Sequence, residues 1–446
     1  MVVAFGMVVI LGFMGLGLDL GYLRYTKRQL QKVADAAAIA GAMELTTCGS
    51  TRACSAMTTA AQDALMENGL TGSTLETGCA RSSASLVVTV NNPPCFLGTA
   101  DPNHNNAKVV EVVVSQSAPL NFAKFLGART MTLTARSEAA LGNGSNCIFA
   151  LDPTDAGTIA VDWLASINSQ CGMVDESKSS TAMECFLGAI TASQIGIVGG
   201  YSSFCFFIHP TPQKHILTPT PVDPLAYLPV PPEAGGACGT STSSPYMGYS
   251  GSTTGLVLNG KATLNAGVYC GGIEINQGAN VTFNPGTYIL TSAVNKSGTS
   301  YGLTVDVGAQ ASGAGVTFFN TLTAGKTAGP IQFNFTSFGG GNGINFTAPT
   351  SGTYEGILFF QDSANTTQAT IIGSGDWNTV LEGAYYFPMA KVLFAFDGPV
   401  KYNILDAWQI EFEALTFATG TYTAGFSNNY STLADGSPVK STALVE

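Results

Sequence analysis

The residues best placed to do chemistry in this 446-residue chain are its scattered carboxylates, three histidines and ten cysteines, with one lysine in a glycine turn. The stretch Asn320-Thr-Leu-Thr-Ala-Gly-Lys326-Thr327 nearly spells a phosphate-binding loop. Such a loop presents the free N–H groups of a helix start, and here Ala328-Gly329-Pro330 follows instead. Ser202 and Ser250 sit in glycine-rich turns, but neither completes a G-x-S-x-G elbow. His104, His209 and His215 fall in a loop and in a proline-rich stretch, so a Ser–His–Asp arrangement would have to be built from irregular chain. The carboxylates Asp362, Asp376, Glu382, Asp397, Asp406, Glu411 and Glu413 are numerous enough for acid–base work on a glycan or for calcium. Their spacing does not group them, and a solvated face explains them. Trp377 and Trp408 stand near them and suit sugar stacking, although buried core positions explain them as well. We therefore expect no catalytic residue, no metal and no cofactor.

The cysteines have a structural reading. They stand at 48, 54, 79, 95, 147, 171, 185, 205, 238 and 270, with no C-x-x-C pair. With only three histidines beside them, zinc has little support, and disulfides in an oxidising compartment fit an even count. Position along the chain favours Cys48 with Cys54 and Cys79 with Cys95. Cys238 with Cys270 would pin the proline-rich stretch, and elimination leaves Cys147–Cys171 and Cys185–Cys205. Charged residues make up only 11% and the net charge is −11, which excludes a general attraction to nucleic acid. The 52 glycines suit short strands joined by tight turns.

The elements that carry these residues begin with an apolar run, residues 1–18, about 27 Å long as a helix. The helical pattern continues to Leu45 without a proline, for a total of roughly 67 Å. Arg24, Arg28 and Lys32 recur at i, i+4 and i+8 and share one face, while Asp19 has Tyr22 and Leu23 where a cation would pair with it. The residues leave two readings open: Asp19 meets cations of a neighbouring helix, or it marks a membrane boundary while the cations touch lipid phosphates. The positive-inside rule would keep Arg24 to Lys32 in the cytoplasm, whereas the cysteines point outside the cell. A short basic leader, once preceding Met1 and removed, would reconcile them. A second helix over 53–66, strands at 85–90 and 108–114, an amphipathic piece "APLNFAKFLGA" and a strand from Arg129 make a small α/β module.

Short strands follow, interrupted by "HPTPQKHILTPTPVDPLAYLPVPPE" (209–233), whose Ile216, Leu217, Leu225, Tyr227 and Leu228 favour a strap laid along the fold. Asn265-Ala-Gly-Val-Tyr269 and Asn284-Pro-Gly-Thr-Tyr288 lie 19 residues apart, and similar strand pairs follow. Self-similarity of this kind points to a solenoid, best a parallel β-helix, with a β-sandwich as the other possibility. The expected chain is mainly β: a long N-terminal helix (1–47), the α/β module (48–142) and a β-helix (143–446) with the strap at 209–247 inside it.

The N-terminal residues carry a resemblance. Gly15 to Asp19 forms a G-x-x-x-D pattern closing the apolar run, and Leu30 to Ala42 reads L-Q-x-x-A-D-A-A-A-x-A-G-A. Together they resemble the TadE/TadG-like proteins of Tad (Flp) pilus systems. The later "CIFALDP", "VDPLAYLP", "NAGVYCGGIEI" and "YEGILFFQD" look like the long TadG-like members. The resemblance implies export through the inner membrane to a cell-surface filament, and no catalysis. Its partners would be copies of itself or other pilins. One departure is Phe5, where pilins of the type IV class carry an acid. The assembly residues expected on this reading are Phe5, Gly12, Gly15, Asp19, Arg24, Arg28 and Lys32, with the glycines and Ala34 to Ala42 allowing helices to approach. The alternative from another class is a membrane-anchored β-helix that binds or cleaves polysaccharide.

Overall fold

The computed structural model describes residues 2–48, 51, 53–79, 85–216, 223–232, 255–292, 302–322, 328–333, 343–373, 379–414, 416–417, 420–421 and 423–445, without the side chains of 2–11. It divides into two compact units, residues 1–142 with 440–446, and residues 143–439.

In the first unit, helix α1 (Val2–Met43) is followed by one turn, α2 (Leu45–Cys48), and by α3 (Ser55–Glu67). Strands β1 (Thr74–Glu76), β2 (Leu86–Asn91), β3 (Val109–Pro119) and β4 (Thr130–Asn143) form one sheet, and Lys440–Leu444 adds a fifth strand beside β4. The valines explain β2 and β3: branched at Cβ, they fit a pleated, half-covered surface better than a helix. Val88, Val90, Val110, Val112 and Val114 face one way and are fully buried. Against them lies the second half of α1. Leu30, Val33, Ala34, Ala37, Ala38 and Ala42 recur at helical spacing and are buried with Met57, Ala61 and Leu65 of α3. At Gly41 a Cβ would stand 3.2 Å from Val110, so a small residue is needed for this approach. The helix is thus not a separate segment past Leu30. Its small residues, expected to face other helices, are used within the unit.

The second unit is built of short parallel strands. Leu256–Leu258, Lys261–Leu264 and Gly267–Cys270 pair with Ile273–Ile275, Asn280–Phe283 and Gly286–Ser292 respectively. These pair in turn with Leu303–Val305, Gln310–Ala314 and Val316–Leu322. Each strand therefore bonds to the third strand after it. At the end of the run Ile344–Thr347, Ile357–Gln361 and Ala369–Gly373 all pair with one long strand, Val380–Phe396, which pairs with the next, Asn403–Phe412. Asn403–Phe412 pairs with Asn146–Ala150 and Ile159–Val161, so the beginning of the unit stacks onto its end. Inside, aromatic rings form a column: Tyr288, Phe318, Phe359 and Tyr385 follow one another at 5.5, 5.9 and 5.5 Å between ring centres. Outside, amides form short ladders, as where Asn284 Nδ2 donates to Asn265 Oδ1 at 2.6 Å. No strand could bury its face alone, and burial of each ring depends on the next.

The proline-rich stretch enters the fold where it is described. Leu225 and Leu228 are buried in the core, Tyr354 Oη donates to the Pro229 carbonyl and Tyr227 Oη to that of Pro438. Leu217 and residues 233–247 lie outside the described residues.

Candidate assembly surface on the N-terminal helix

Between Gly12 and Leu20 the helix is exposed at every residue except Gly15 and Asp19. Phe13 is 73% exposed, and Met14, Leu18, Tyr22 and Tyr25 also stand largely free. A water-facing apolar helix of this length is unfavourable for an isolated soluble domain, so this face needs a partner or a lipid. Gly12 and Gly17 have open space around them. Phe5 belongs to the residues whose side chains are not described.

Gly15 and Asp19 have a shared job. The Asp19 carboxylate accepts three backbone N–H groups: Asn121 at 3.0 Å to Oδ1, and Phe122 at 2.9 Å and Ala123 at 2.7 Å to Oδ2. These amides open a short 3₁₀ helix, Ala123–Leu126, where unsatisfied N–H groups favour an anion. One turn earlier, the Phe122 ring lies over Gly15; a Cβ there would come within 2.5 Å of it. Gly at 15 and Asp at 19 fall on one helix face, and together they clasp the loop after β3. Sequence reasoning assigned Asp19 to a neighbour's cations or to a membrane boundary. Its own chain supplies the partner, which was missed because amide donors carry no residue signature; only the amphipathic "APLNFAKFLGA" marked the place.

The cations behave differently. Arg24, Arg28 and Lys32 are exposed and make no ion pair among the described residues. Lys27 turns inward and donates to the Thr134 carbonyl, and Gln31 Nε2 donates to the Arg136 carbonyl at 2.7 Å. These contacts fix α1 along β4.

Residues 1–44 match the family model described as putative Flp pilus-assembly TadE/G-like, and residues 40–139 match that described as putative Tad-like Flp pilus-assembly. The matched residues make up the N-terminal part of the chain, and the clasp, the exposed apolar face and the alanine seam all fall inside them. No curated protein and no solved structure matches the chain. Among the described residues no helix is long and apolar enough to cross a membrane, and the side chains of 2–11 are not among them.

Four disulfides lie wholly among the described residues: Cys48–Cys54, Cys79–Cys95, Cys147–Cys171 and Cys185–Cys205. Cys270 is disulfide-bonded, and Cys238 lies outside the described residues.

The residues considered for chemistry are mostly used elsewhere. Asn320, at the head of the phosphate-loop-like stretch, is buried in a strand and donates to Gln361 Oε1 and the Gly329 carbonyl, both at 2.9 Å; residues 323–327 lie outside the described set. Asp362 accepts from Thr321 Oγ1 and the Ala364 N–H. Glu382 accepts the Lys401 N–H, and Asp397 is half-buried. Ser250, Asp376 and Trp377 are not described, and Trp408 packs against the core. Ser202 lies on an exposed strand, and His209 and His215 stand apart from it in other elements. Glu411 and Glu413 do meet, with Asp162, their oxygens within 4.8 Å of one another at the surface; Lys391 pairs with Glu411. Burial, then the neighbouring Glu411, pushes the Asp162 carboxyl up to about 6.

Two further acid groups lie largely in the interior, and of their members the sequence singles out only Asp406. In the first unit Arg136 pairs with Asp101, Glu111 and Glu138. Burial, with Asp101 beside it, pushes Glu138 up to about 7, while Asp101, despite its own burial, is held low by the hydrogen bond with Glu138 and by the Asn103 N–H. In the second unit Asp175, Glu176 and Asp406 are buried and Asp223 is half-buried, with no ion pair among the described residues. Tyr386 Oη donates to Asp223 at 2.7 Å. Burial pushes Glu176 up to about 8 and Asp175 to about 6, and drives Asp406, with Asp223 next to it, far above the carboxylate range.

Proposed function

We propose that this protein is a structural, pilin-like subunit of a Flp/Tad-type filament, assembling through the exposed apolar half of α1. The observation that carries this reading is the contrast along one helix: from Leu30 onward one face is buried in its own unit, and from Gly12 to Tyr25 it is bare except where Gly15 and Asp19 are clasped and Leu23 packs on the core. Before assembly that bare half would sit in the inner membrane; afterwards it would pack with copies of itself or with other pilins. Asp19 sets the angle between helix and domain and is not spent on a neighbour. Arg24, Arg28 and Lys32 remain free for a partner's acids or for lipid phosphates. The second unit is read as a parallel β-helix of three strands per coil, supported by the bonding of each strand to the third after it. It would be the part facing the medium.

A second reading is favoured by one surface. Trp163, Phe186, Phe204, Phe206 and Phe207 stand exposed on the second unit, Trp163 at 63% and Phe206 at 70%. Exposed aromatics of this kind suit a surface-anchored polysaccharide binder.

Cryo-electron microscopy of material sheared from cells without detergent separates the two. Helical filaments with residues 12–25 in their core are expected. Recovery of the protein only in detergent extracts, with glycan binding lost in Trp163→Ala, would put the second reading in place of the first.

A further inference from the structure

The clasp at Gly15 and Asp19 does more than hold the helix. We propose that the loop Leu120–Arg129 is a second membrane-contacting element, laying Phe122 and Phe125 into the headgroup layer of an anionic phospholipid bilayer beside α1. This rests on the reading that the apolar half of α1 occupies a membrane before assembly.

The geometry leaves the loop little choice. Phe122 packs on Gly15, which lies four residues inside the apolar run from Asp19, or about 6 Å along the axis. If the apolar run is in lipid, a ring pressed on Gly15 is at the edge of the lipid too. The loop is built for that depth. Phe125 is 80% exposed, and Phe122 and Met131 are about half exposed, next to a helix that presents Phe13, Met14 and Leu18. Aromatic and apolar groups standing in water at this density are left largely uncovered among the described residues.

Charge chooses the occupant. Residues 19–32 and 120–131 carry four cations on α1 (Arg24, Lys27, Arg28, Lys32) and two on the loop (Lys124, Arg129), six of the 18 in the chain. The one acid in these segments, Asp19, is already satisfied by three amides. A chain of net charge −11 therefore gathers a cationic collar at the end of its apolar helix. The collar of a second copy set directly against this one would be repelled, whereas a layer of lipid phosphates complements it before assembly. Lys124 Nζ stands 5.7 Å from the Phe125 ring centre, the pairing of cation and aromatic ring that suits a membrane–water interface.

The test uses the full chain in vesicles of phosphatidylcholine and phosphatidylglycerol, with lipids brominated either just below the headgroup or near the bilayer centre. Phe125→Trp and Phe13→Trp, both at exposed positions, report depth as emission added to that of the native tryptophans. For Phe125→Trp, shallow bromine should quench roughly twofold more than deep bromine, as for an interfacial ring. Quenching of Phe13→Trp while Phe125→Trp is unquenched and open to aqueous iodide would overturn the loop proposal and leave the helix reading standing. If neither is quenched, the membrane reading of α1 falls and takes the loop with it. Reversing the loop charges (K124E with R129E) should cut shallow quenching in phosphatidylglycerol-containing vesicles; unchanged quenching would overturn the choice of anionic lipid.

Discussion

The two units bury acids in opposite ways. In the first, three carboxylates close around Arg136, so the cation answers one charge and the raised proton affinity of Glu138 relieves a second. In the second, Asp175, Glu176, Asp223 and Asp406 have no cation among the described residues; hydrogen bonds to Asp175 and Asp223 and a raised proton affinity at all four stand in its place. The difference teaches that burial of like charge is tolerated by either route, but with different responses to pH. An arginine-centred group fails when the arginine is lost. A proton-centred group fails when the medium becomes alkaline.

The largest expected effect is on the arginine. Arg136→Met should destabilise the first unit by about 3–5 kcal/mol, the cost of stranding buried carboxylates. Urea unfolding followed in that unit would show it, and a loss below about 1 kcal/mol would mean the carboxylates are already neutral. Next comes the second unit, where Asp406→Asn removes an ionisation the fold resists. It should stabilise by roughly 1–3 kcal/mol at pH 8 and by much less at pH 4, because the penalty grows as the unfolded carboxyl ionises. Equal effects at the two pH values would break the contrast.

Smaller still is the slope attached to Glu138. Its carboxyl rises from 4.5 to about 7 on folding, so the folded state holds a proton that the unfolded chain releases. The stability it contributes is complete below 4.5 and falls as pH climbs to about 7. Glu138→Gln should flatten that part of the stability profile, and an unchanged slope would assign the proton elsewhere. Smallest is Lys391→Ala, which breaks the partly exposed Lys391–Glu411 pair and should cost under about 1 kcal/mol. A larger loss would show that the surface carboxylates Asp162, Glu411 and Glu413 behave as a buried group.

What the sequence made legible follows the same division. Repetition was visible: Asn265 and Asn284, Tyr269 and Tyr288 recur at one spacing, and the structure joins the first pair by a hydrogen bond and stacks the second at 5.7 Å. The mainly β character and the long helix were legible for a related reason, since periodicity is a local property. Contacts between distant segments were not. The reach of Asp19 to residues 121–123, the fifth strand at 440–444, and the grouping of Asp101, Glu111 and Glu138 all depend on chain paths that no local pattern encodes. The alanine run of α1 misled for a subtler reason. Small residues report that something approaches closely, but not whether it belongs to the same chain.

The strand at 440–444 has a consequence for how the protein is made. It lies beyond the whole second unit in the sequence, yet it completes the sheet of the first. While the ribosome is still producing the stacked strands, the helix-bearing unit waits with one sheet edge unpaired. A chain cut short by a nonsense codon or a protease would keep that edge unpaired, open to pairing with another strand.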